Sequence, residues 1–182
     1  MKELKQDLES TLYSEQELKE IVAELAQRIS ADYEGKNLFV IVILKGSFVF
    51  AADLIRQISI PCQVDFMAVS SYGNQTTTTG NVRITKDLTV SIEDRDVLVI
   101  EDILDSGVTL SNTLKILSAR SPRSLELCAL LDKPARRRVP VSAKYIGRQV
   151  EDEFIVGYGL DYAEQYRDLP YIGILNRDIY EK

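Results

Sequence analysis

The chain has 182 residues, of which 45% are apolar and 27% charged, a balance typical of one globular domain with a sizeable core and not of a disordered or fibrous chain. Its 28 acidic and 22 basic residues leave a formal net charge of −6, so an extended basic surface for nucleic-acid phosphates is not expected. Because it contains no histidine, it cannot form a Ser-His-Asp triad, a Cys-His pair or a histidine-ligated zinc site, and the groups left for chemistry are those that bind Mg²⁺ and phosphates.

The predicted elements begin with an amphipathic helix. Ser14 and Glu17 form a capping-box pattern, and apolar residues then recur at helical spacing as far as Ile29, so the helix should end before Gly35. The next segment, 38–44, is wholly apolar and rich in β-branched residues, as in a parallel strand covered on both faces. Further patterns predict helices at 48–58 and 110–119, strands at 62–69, 97–100 and 124–131, and a polar loop at 70–81.

Strands and helices alternate along this stretch. The alternation predicts an α/β fold with a doubly wound parallel sheet, whose ligands bind where loops leave the carboxyl ends of the strands. No internal repeat or interdomain linker is visible, so residues 1–182 are predicted to form one domain with a core of roughly 36–138. Beyond about Val139 the strand candidates are shorter, and the first helix and this tail are predicted to form a small cap over the sheet.

The cysteines and the N-terminus indicate the compartment. Cys62 and Cys128 lie in apolar, strand-like runs, where a reduced core thiol is commoner than a disulfide or a metal ligand. Residues 1–10 are charged and contain no apolar signal region, and no uninterrupted apolar run reaches membrane-spanning length. We therefore expect a cytoplasmic protein that is neither secreted nor membrane-spanning.

The strongest functional signal follows the strand at 97–100, where a loop of small residues opens a helix. The amides of the loop and of the helix N-terminus can point at one phosphate, and the hydroxyls of Ser106 and Thr109 can donate to it. Gly107 permits close approach of the backbone. The segment lacks the spacing of a P-loop. The alternative is an ordinary turn in which Asp105 caps the helix.

Two acids, Glu101 and Asp102, stand directly before this loop and suit sugar hydroxyls or a hydrated Mg²⁺, so a sugar phosphate is the predicted ligand. The segment resembles the motif with which type I phosphoribosyltransferases bind PRPP (5-phosphoribosyl-1-pyrophosphate): two acids followed by an acid-hydroxyl-Gly-x-Thr loop. Ser106 stands where many relatives have Thr, and both supply a hydroxyl. The resemblance implies the type I phosphoribosyltransferase fold, a parallel-sheet core with flanking helices and a small hood formed by the N-terminal and C-terminal segments.

Lys45 and Gly46 follow the buried strand at 38–44 and can present amides and an ammonium to a second anion, although such a turn is commonly just a turn. At this position the turn resembles the pyrophosphate loop of the hypoxanthine-guanine branch, in which the Leu-Lys peptide is often cis. The same resemblance implies that the guanidinium of Arg167 binds pyrophosphate, a role that its bidentate fork suits.

The segments 131–134 and 154–162 resemble the purine pocket of the same branch. Lys133 only donates hydrogen bonds, so it matches a 6-oxo group and not the amino group of adenine. The resemblance implies that Phe154 stacks on the base and that backbone groups of Ile155 read its Watson–Crick edge. It also implies that Asp161 binds Mg²⁺ beside pyrophosphate. Plain core packing is the alternative for Phe154.

Two further features are less specific. Ser71 and Tyr72 open a threonine-rich segment that resembles the family's closing loop, which excludes water from the reacting ribosyl centre; a surface loop is the alternative. The cluster 136–138, with Lys133 just before it, is interpreted as a solvated rim and not as a phosphate-facing one.

The resemblance extends from Leu38 to Ile174 and is nearest to the short bacterial members of the hypoxanthine-guanine branch. It implies a purine-salvage enzyme that transfers the phosphoribosyl group of PRPP to N9 of hypoxanthine or guanine, giving IMP or GMP and pyrophosphate. Asp105 is the implied general base for the N7 proton. Mg²⁺ is the implied cofactor, and Glu101, Asp102 and Asp161 are its implied ligands.

The implied partners are PRPP and a 6-oxopurine base, without nucleic acid or membrane, in a homodimer or homotetramer. Three alternatives stay open. They are a phosphoribosyltransferase for another base such as xanthine, an RNA-binding regulator built on this fold, and a sensor that binds PRPP without turnover.

Overall fold

The computed structural model describes residues 6–71 and 82–181. In chain order the elements are β1 (Leu8–Tyr13), α1 (Glu15–Asp32), β2 (Leu38–Leu44), α2 (Phe48–Gln57), β3 (Cys62–Ser71), β4 (Val82–Lys86), β5 (Asp96–Leu104), α3 (Val108–Ser118), β6 (Ser124–Asp132), a 3₁₀ turn (Pro134–Arg136), β7 (Tyr145–Gln149), β8 (Ile155–Val156), β9 (Ile172–Leu175) and α4 (Arg177–Tyr180).

A six-stranded sheet in the order β4-β3-β2-β5-β6-β7 forms the centre of the molecule. All neighbouring strands are parallel except β4, which pairs with β3 antiparallel at the edge. Alternate residues of the central strands point to opposite faces. Val40 and Leu98 belong to the core cluster that includes α1 and α2, whereas Ile41 and Val99 belong to the one that includes α3. The predicted doubly wound α/β fold is therefore confirmed.

Helix α1 forms as predicted. The backbone N–H of Ser14 donates to the Glu17 carboxylate at 2.8 Å, and the N–H of Glu17 donates to the Ser14 hydroxyl at 3.3 Å, so both halves of the capping box are present. The helix ends at Asp32, before Gly35. Its buried stripe belongs to the core cluster of the large sheet, because the apolar face of an 18-residue helix needs a broad apolar surface to cover it.

The terminal strands form a second sheet, antiparallel and in the order β1-β9-β8. Leu8 pairs with Leu175, and Ile155 pairs with Ile174, so the two ends of the chain meet there. The division into a core of roughly 36–138 and a terminal hood stays a prediction, and two elements differ from it. Helix α1 packs on α2 and β7, and β7 extends the large sheet beyond residue 138.

Several predicted boundaries are corrected. Strand β3 continues through Ser70 and Ser71, which the polar composition assigns to a loop, because they pair with β4. Strand β5 runs four residues past Ile100, since its ladder with β6 continues there, and α3 begins at Val108. None of the described helices is long and apolar enough to cross a membrane.

Candidate active site

A cleft of about 530 Å³ opens where the carboxyl ends of β2, β5 and β6 meet, the edge at which a doubly wound sheet binds ligands. Twelve of the predicted site residues line it, and they come from separate stretches of the chain: Lys45, Gly46, Glu101, Asp102, Asp105, Gly107, Thr109, Lys133, Phe154, Ile155, Asp161 and Arg167. The fold therefore brings the phosphate, pyrophosphate and purine motifs into one cavity.

Three predicted site residues remain: Ser106, Ser71 and Tyr72. Ser106 lies in the loop between β5 and α3, and its hydroxyl accepts the Val108 N–H at 3.4 Å, at the start of α3. Ser71 is the last residue of β3, and Tyr72 lies outside the described residues. The prediction of a closing loop at Ser71 and Tyr72 therefore stays a prediction.

The adjacent acids lie near the carboxyl end of β5. The Asp102 carboxylate accepts the Ile103 N–H at 2.8 Å and packs against Gly46, where an added Cβ would lie 1.6 Å from the Asp102 Oδ2. Burial, and then the charge of Asp102, raise the pKa of Glu101 well above its usual range. Two neighbouring carboxyl groups suit a cation, which offsets the repulsion between their charges.

The loop that is predicted to bind phosphate, residues 105–109 and called the phosphate loop below, leads from β5 into α3. Gly107, with φ +76°, is the N-cap residue of α3, and the helix has no side-chain cap hydrogen bond. The alternative in which Asp105 caps the helix is therefore wrong. Asp105 instead lines the cleft, next to a helix N-terminus whose dipole and amides favour an anion.

Arg137 holds this loop in place through hydrogen bonds, which we call the brace below. Its guanidinium donates to the carbonyls of Asp105 at 2.7 Å, Leu104 at 3.0 Å and Val141 at 3.0 Å, and it pairs with the Asp132 carboxylate. The interpretation of Arg137 as a solvated rim is therefore wrong. No local pattern distinguishes it from its two arginine neighbours, because the carbonyls of Asp105 and Leu104 lie 32 and 33 residues earlier in the chain.

Lys133 lines the part of the cleft that is predicted to receive the purine. It is only 6% exposed, and its ammonium donates to the carbonyl of Glu153 at 2.6 Å. Burial, and then the charge of Arg136, lower the pKa of Lys133. Arg136 also lines the cleft and pairs with Asp152. Its side chain is 57% exposed, so its interpretation as a solvated rim stays a prediction. A buried ammonium with spare donors is suited to an oxygen acceptor on a ligand.

Phe154 packs against other aromatic rings and also lines the cleft. Its ring stacks on Tyr180 with centroids 4.7 Å apart and meets Tyr162 edge-on at 5.4 Å. It nevertheless lines the cleft together with Ile155, the first residue of β8. Packing against two aromatic rings holds the Phe154 ring in place at the wall of the cleft, and its stacking on a base stays a prediction.

The end of the cleft that is predicted to bind pyrophosphate is formed by two loops in contact. The Leu44–Lys45 peptide bond is cis, as the resemblance implies. An added Cβ at Gly159 would lie 2.1 Å from the carbonyl oxygen of Gly46, so only glycine fits here. The Arg167 guanidinium donates to the Gly159 carbonyl at 2.8 Å, which ties its position to the same contact.

Acidic residues surround the two cations of this end. Arg167 pairs with Asp161 at 2.8 Å and with Glu164 at 3.2 Å, and Lys45 pairs with Glu164 at 2.9 Å. Hydrogen bonds from Lys45 and then Arg167 lower the pKa of Glu164, so Glu164 is ionised at neutral pH. Glu164 is absent from the predicted site residues, and only its position three residues before Arg167 pointed to it.

The carboxylates of the cleft fit Mg²⁺ in a particular way. Over residues 6–71 and 82–181, no group of three or more His, Cys, Asp or Glu residues converges on one metal position, so Glu101, Asp102 and Asp161 do not form a single cage. Mg²⁺ prefers oxygen donors and usually keeps several waters, bound through one or two carboxylates plus the phosphates of a substrate. The donors present fit that mode.

Comparisons with known proteins agree with this geometry. Residues 9–163 match the family model of the phosphoribosyl transferase domain. The chain is 50% identical over 176 residues to the hypoxanthine-guanine phosphoribosyltransferase of Staphylococcus epidermidis, covering 97% of this chain and 98% of that protein. A crystal structure of a hypoxanthine phosphoribosyltransferase from Staphylococcus aureus superposes with a TM-score of 0.95 at 49% identity, covering 98% of this chain and 97% of that one.

A longer relative matches equally well. The bifunctional protein TilS/HprT of Listeria innocua is 52% identical over 176 residues, which is 97% of this chain. The chain spans only 27% of the length of that protein.

Proposed function

The chain belongs to the phosphoribosyl transferase domain family, and from that premise we propose that it is a purine-salvage enzyme. It transfers the 5-phosphoribosyl group of PRPP to N9 of hypoxanthine or guanine, giving IMP or GMP and pyrophosphate. The observation that carries the proposal is the buried ammonium of Lys133 in the same cleft as the phosphate loop. Relatives named for this activity are about half identical over nearly the whole chain.

PRPP binds with its 5′-phosphate at the loop 105–109. The amides of this loop and the N-terminus of α3 face the phosphate, and the hydroxyls of Ser106 and Thr109 donate to it. Glu101 and Asp102 accept hydrogen bonds from the ribose hydroxyls. The brace from Arg137 keeps the loop carbonyls turned away from the anion, because they accept its guanidinium N–H groups.

The purine enters between Lys133 and Phe154. The Lys133 ammonium donates to the 6-oxo oxygen, and the Phe154 ring stacks on the base. Backbone groups of Ile155 read the Watson–Crick edge. Adenine is disfavoured because its 6-amino group would face an ammonium that only donates, leaving both groups without an acceptor.

Asp105 then acts as the general base. N9 attacks the anomeric carbon while the bond from that carbon to the pyrophosphate oxygen breaks, and Asp105 accepts the N7 proton, a role typically worth about 10²–10⁴-fold in rate. No protein nucleophile takes part. The leaving pyrophosphate carries the electron pair of the broken bond, and the cations Lys45 and Arg167 stabilise its charge.

The cofactor proposed is Mg²⁺. Glu101 and Asp102 would bind it on the ribose side, and Asp161 would bind it on the pyrophosphate side, without forming one common cage. When bound, it neutralises phosphate charge as a Lewis acid. The protein's part is to orient these oxygens. Contact between the Asp102 carboxylate and Gly46 supports that assignment.

The test is nucleotide formation from purified protein, PRPP and Mg²⁺ with hypoxanthine, guanine, xanthine, adenine and uracil in parallel. We expect product from hypoxanthine or guanine and none from adenine or uracil. Product from xanthine alone would replace the substrate assignment with the xanthine alternative. If no base reacts, the proposal fails, and filter binding to RNA and PRPP binding without turnover separate the regulator from the sensor.

Assembly and location are proposed from the sequence. We propose a homodimer or homotetramer, supported by the exposed apolar side chains of Phe48 and Phe66, which light scattering tests. We also propose a reducing, cytoplasmic location, supported by the free thiols of Cys62 and Cys128. Detection of the protein in a secreted or membrane fraction would contradict it.

A further inference from the structure

Glu164 lies between the two cations assigned to pyrophosphate. One of its carboxylate oxygens is 2.9 Å from the Lys45 ammonium, and the other is 3.2 Å from the Arg167 guanidinium. A single carboxylate therefore bridges both cations, in the way that one oxyanion group of a phosphate ligand can.

We propose that Glu164 is an internal competitor of pyrophosphate. Its carboxylate pairs with Lys45 and Arg167 while the subsite is free, and it must turn away before pyrophosphate, or the pyrophosphate group of PRPP, can pair with them. The inference rests on the proposed function, because that function supplies the anion. It adds a residue that sets how tightly the anion binds.

The three partners differ in their freedom to move. Arg167 is fixed by the Gly159 carbonyl at 2.8 Å and by Asp161 at 2.8 Å, and its side chain is 19% exposed. The side chains of Lys45 and Glu164 are 66% and 65% exposed. The Arg167 guanidinium therefore stays in position, whereas the exposed Glu164 side chain can rotate away from it.

The backbone at Glu164 is held in place while its side chain is not. Its N–H donates to the Asp161 carboxylate at 3.0 Å, and both Ala163 and Glu164 have positive φ, +50° and +61°. Asp161 thus stabilises this tight turn. Rotation about the side-chain bonds of Glu164 is enough to vacate the subsite, and no rearrangement of the loop is needed.

The charges explain why the Glu164 carboxylate must leave. Pyrophosphate carries several negative charges at neutral pH, and an ionised carboxylate at contact distance repels it. Glu164 and the incoming anion also need the same N–H donors on Lys45 and Arg167. Exposed ion pairs are weak, so the competition is expected to change affinity by about three- to tenfold and not by orders of magnitude.

The experiment compares Glu164→Gln with a matched control. Glu93→Gln makes the same change of charge on an exposed residue in the turn before β5, at the opposite end of the strand from the cleft. Isothermal titration calorimetry with pyrophosphate and Mg²⁺ at low ionic strength gives the Kd of each protein. We expect Glu164→Gln to bind about three- to tenfold more tightly than wild type and Glu93→Gln to match wild type.

A second variant tests the contact itself. In a Lys45→Gln background, Glu164 has lost one of its two partners, so the gain from Glu164→Gln should shrink. Equal or weaker binding by Glu164→Gln would overturn the inference, and weaker binding would mean that Glu164 orders the two cations for the ligand. If wild type forms nucleotide but gains nothing from Glu164→Gln, only the inference fails. If wild type neither binds pyrophosphate nor forms nucleotide, the proposed function fails with it.

Discussion

Replacing Gly46 by alanine should disable the cleft without unfolding the protein. An added Cβ would lie 1.6 Å from the Asp102 Oδ2 and 2.7 Å from its Cγ, whereas non-bonded heavy atoms sit best at about 3.5–4.0 Å. The carboxylate oxygen must therefore retreat by roughly 2 Å. Displacements of about 1 Å at a reacting site can cost about 10²-fold in rate, so we expect kcat/KM to fall by about two orders of magnitude or more.

The cost to stability should not unfold the protein, because the clash involves the end of a side chain that can rotate. Overpacking of this kind costs about 1–3 kcal/mol. Gly35→Ala is the matched control: Gly35 has φ +72° and no atom within 4 Å of the added Cβ, so it costs about 1–2 kcal/mol of backbone strain and should leave kcat/KM unchanged.

The assay for both variants is the initial rate of nucleotide formation at varied PRPP and Mg²⁺, with urea unfolding alongside. If folded Gly46→Ala keeps kcat/KM within threefold of wild type, the Asp102 carboxylate is not needed where the structure has it. The assignment of Asp102 to the ribose and the metal would then be withdrawn.

Three further predictions concern recognition, the loop brace and the core. Lys133→Gln should lower kcat/KM for hypoxanthine by about 10- to 100-fold, the effect expected for losing a hydrogen bond to a charged group. It should also raise the ratio of adenine to hypoxanthine turnover, which parallel kinetics with the two bases measure. An unchanged ratio would contradict the 6-oxo assignment. Arg137→Lys keeps the charge but loses the carbonyl bonds to the phosphate loop, so KM for PRPP should rise about tenfold and urea unfolding should show a loss of about 1–3 kcal/mol. An unchanged KM would show that the brace does not order the loop. Burial raises the pKa of Asp65, but hydrogen bonds from the backbone and side chain of Thr89 and others outweigh it, so the pKa is lowered on folding. Asp65→Asn should therefore cost about 1.5–3 kcal/mol at pH 7, and urea unfolding should show this difference shrinking below about pH 4, as protonation removes the wild-type advantage; a difference independent of pH would contradict the mechanism.

Much of the fold could be predicted because local patterns encode it. The apolar run at 38–44 and the capping box at Ser14 predicted β2 and the start of α1 correctly. The bounds of the short strands were not predicted. Each of them, β4, β7, β8 and β9, has only two to five residues. Because so few residues show little periodicity, only the partners of these strands in the sheet define them.

The sequence by itself determined the order of the elements and the chemical groups at the carboxyl ends of the strands. Parallel βα units bring those ends to one edge, so the positions of Lys45, Asp102 and Lys133 along the chain are enough to predict that they share one cleft. Their residue types also define the chemistry, since an acceptor-only carboxylate and a donor-only ammonium keep those properties in any fold.

Only the tertiary structure decided which groups touch. The contact of Gly46 with Asp102, the brace from Arg137 and the bridge made by Glu164 each join residues from different segments of the chain. Local patterns describe which face of an element is apolar, but they do not encode the distance between two loops. That distance depends on how the sheet twists and how the helices pack, and it decides whether a charged side chain faces solvent, supports a loop or occupies the space of a ligand.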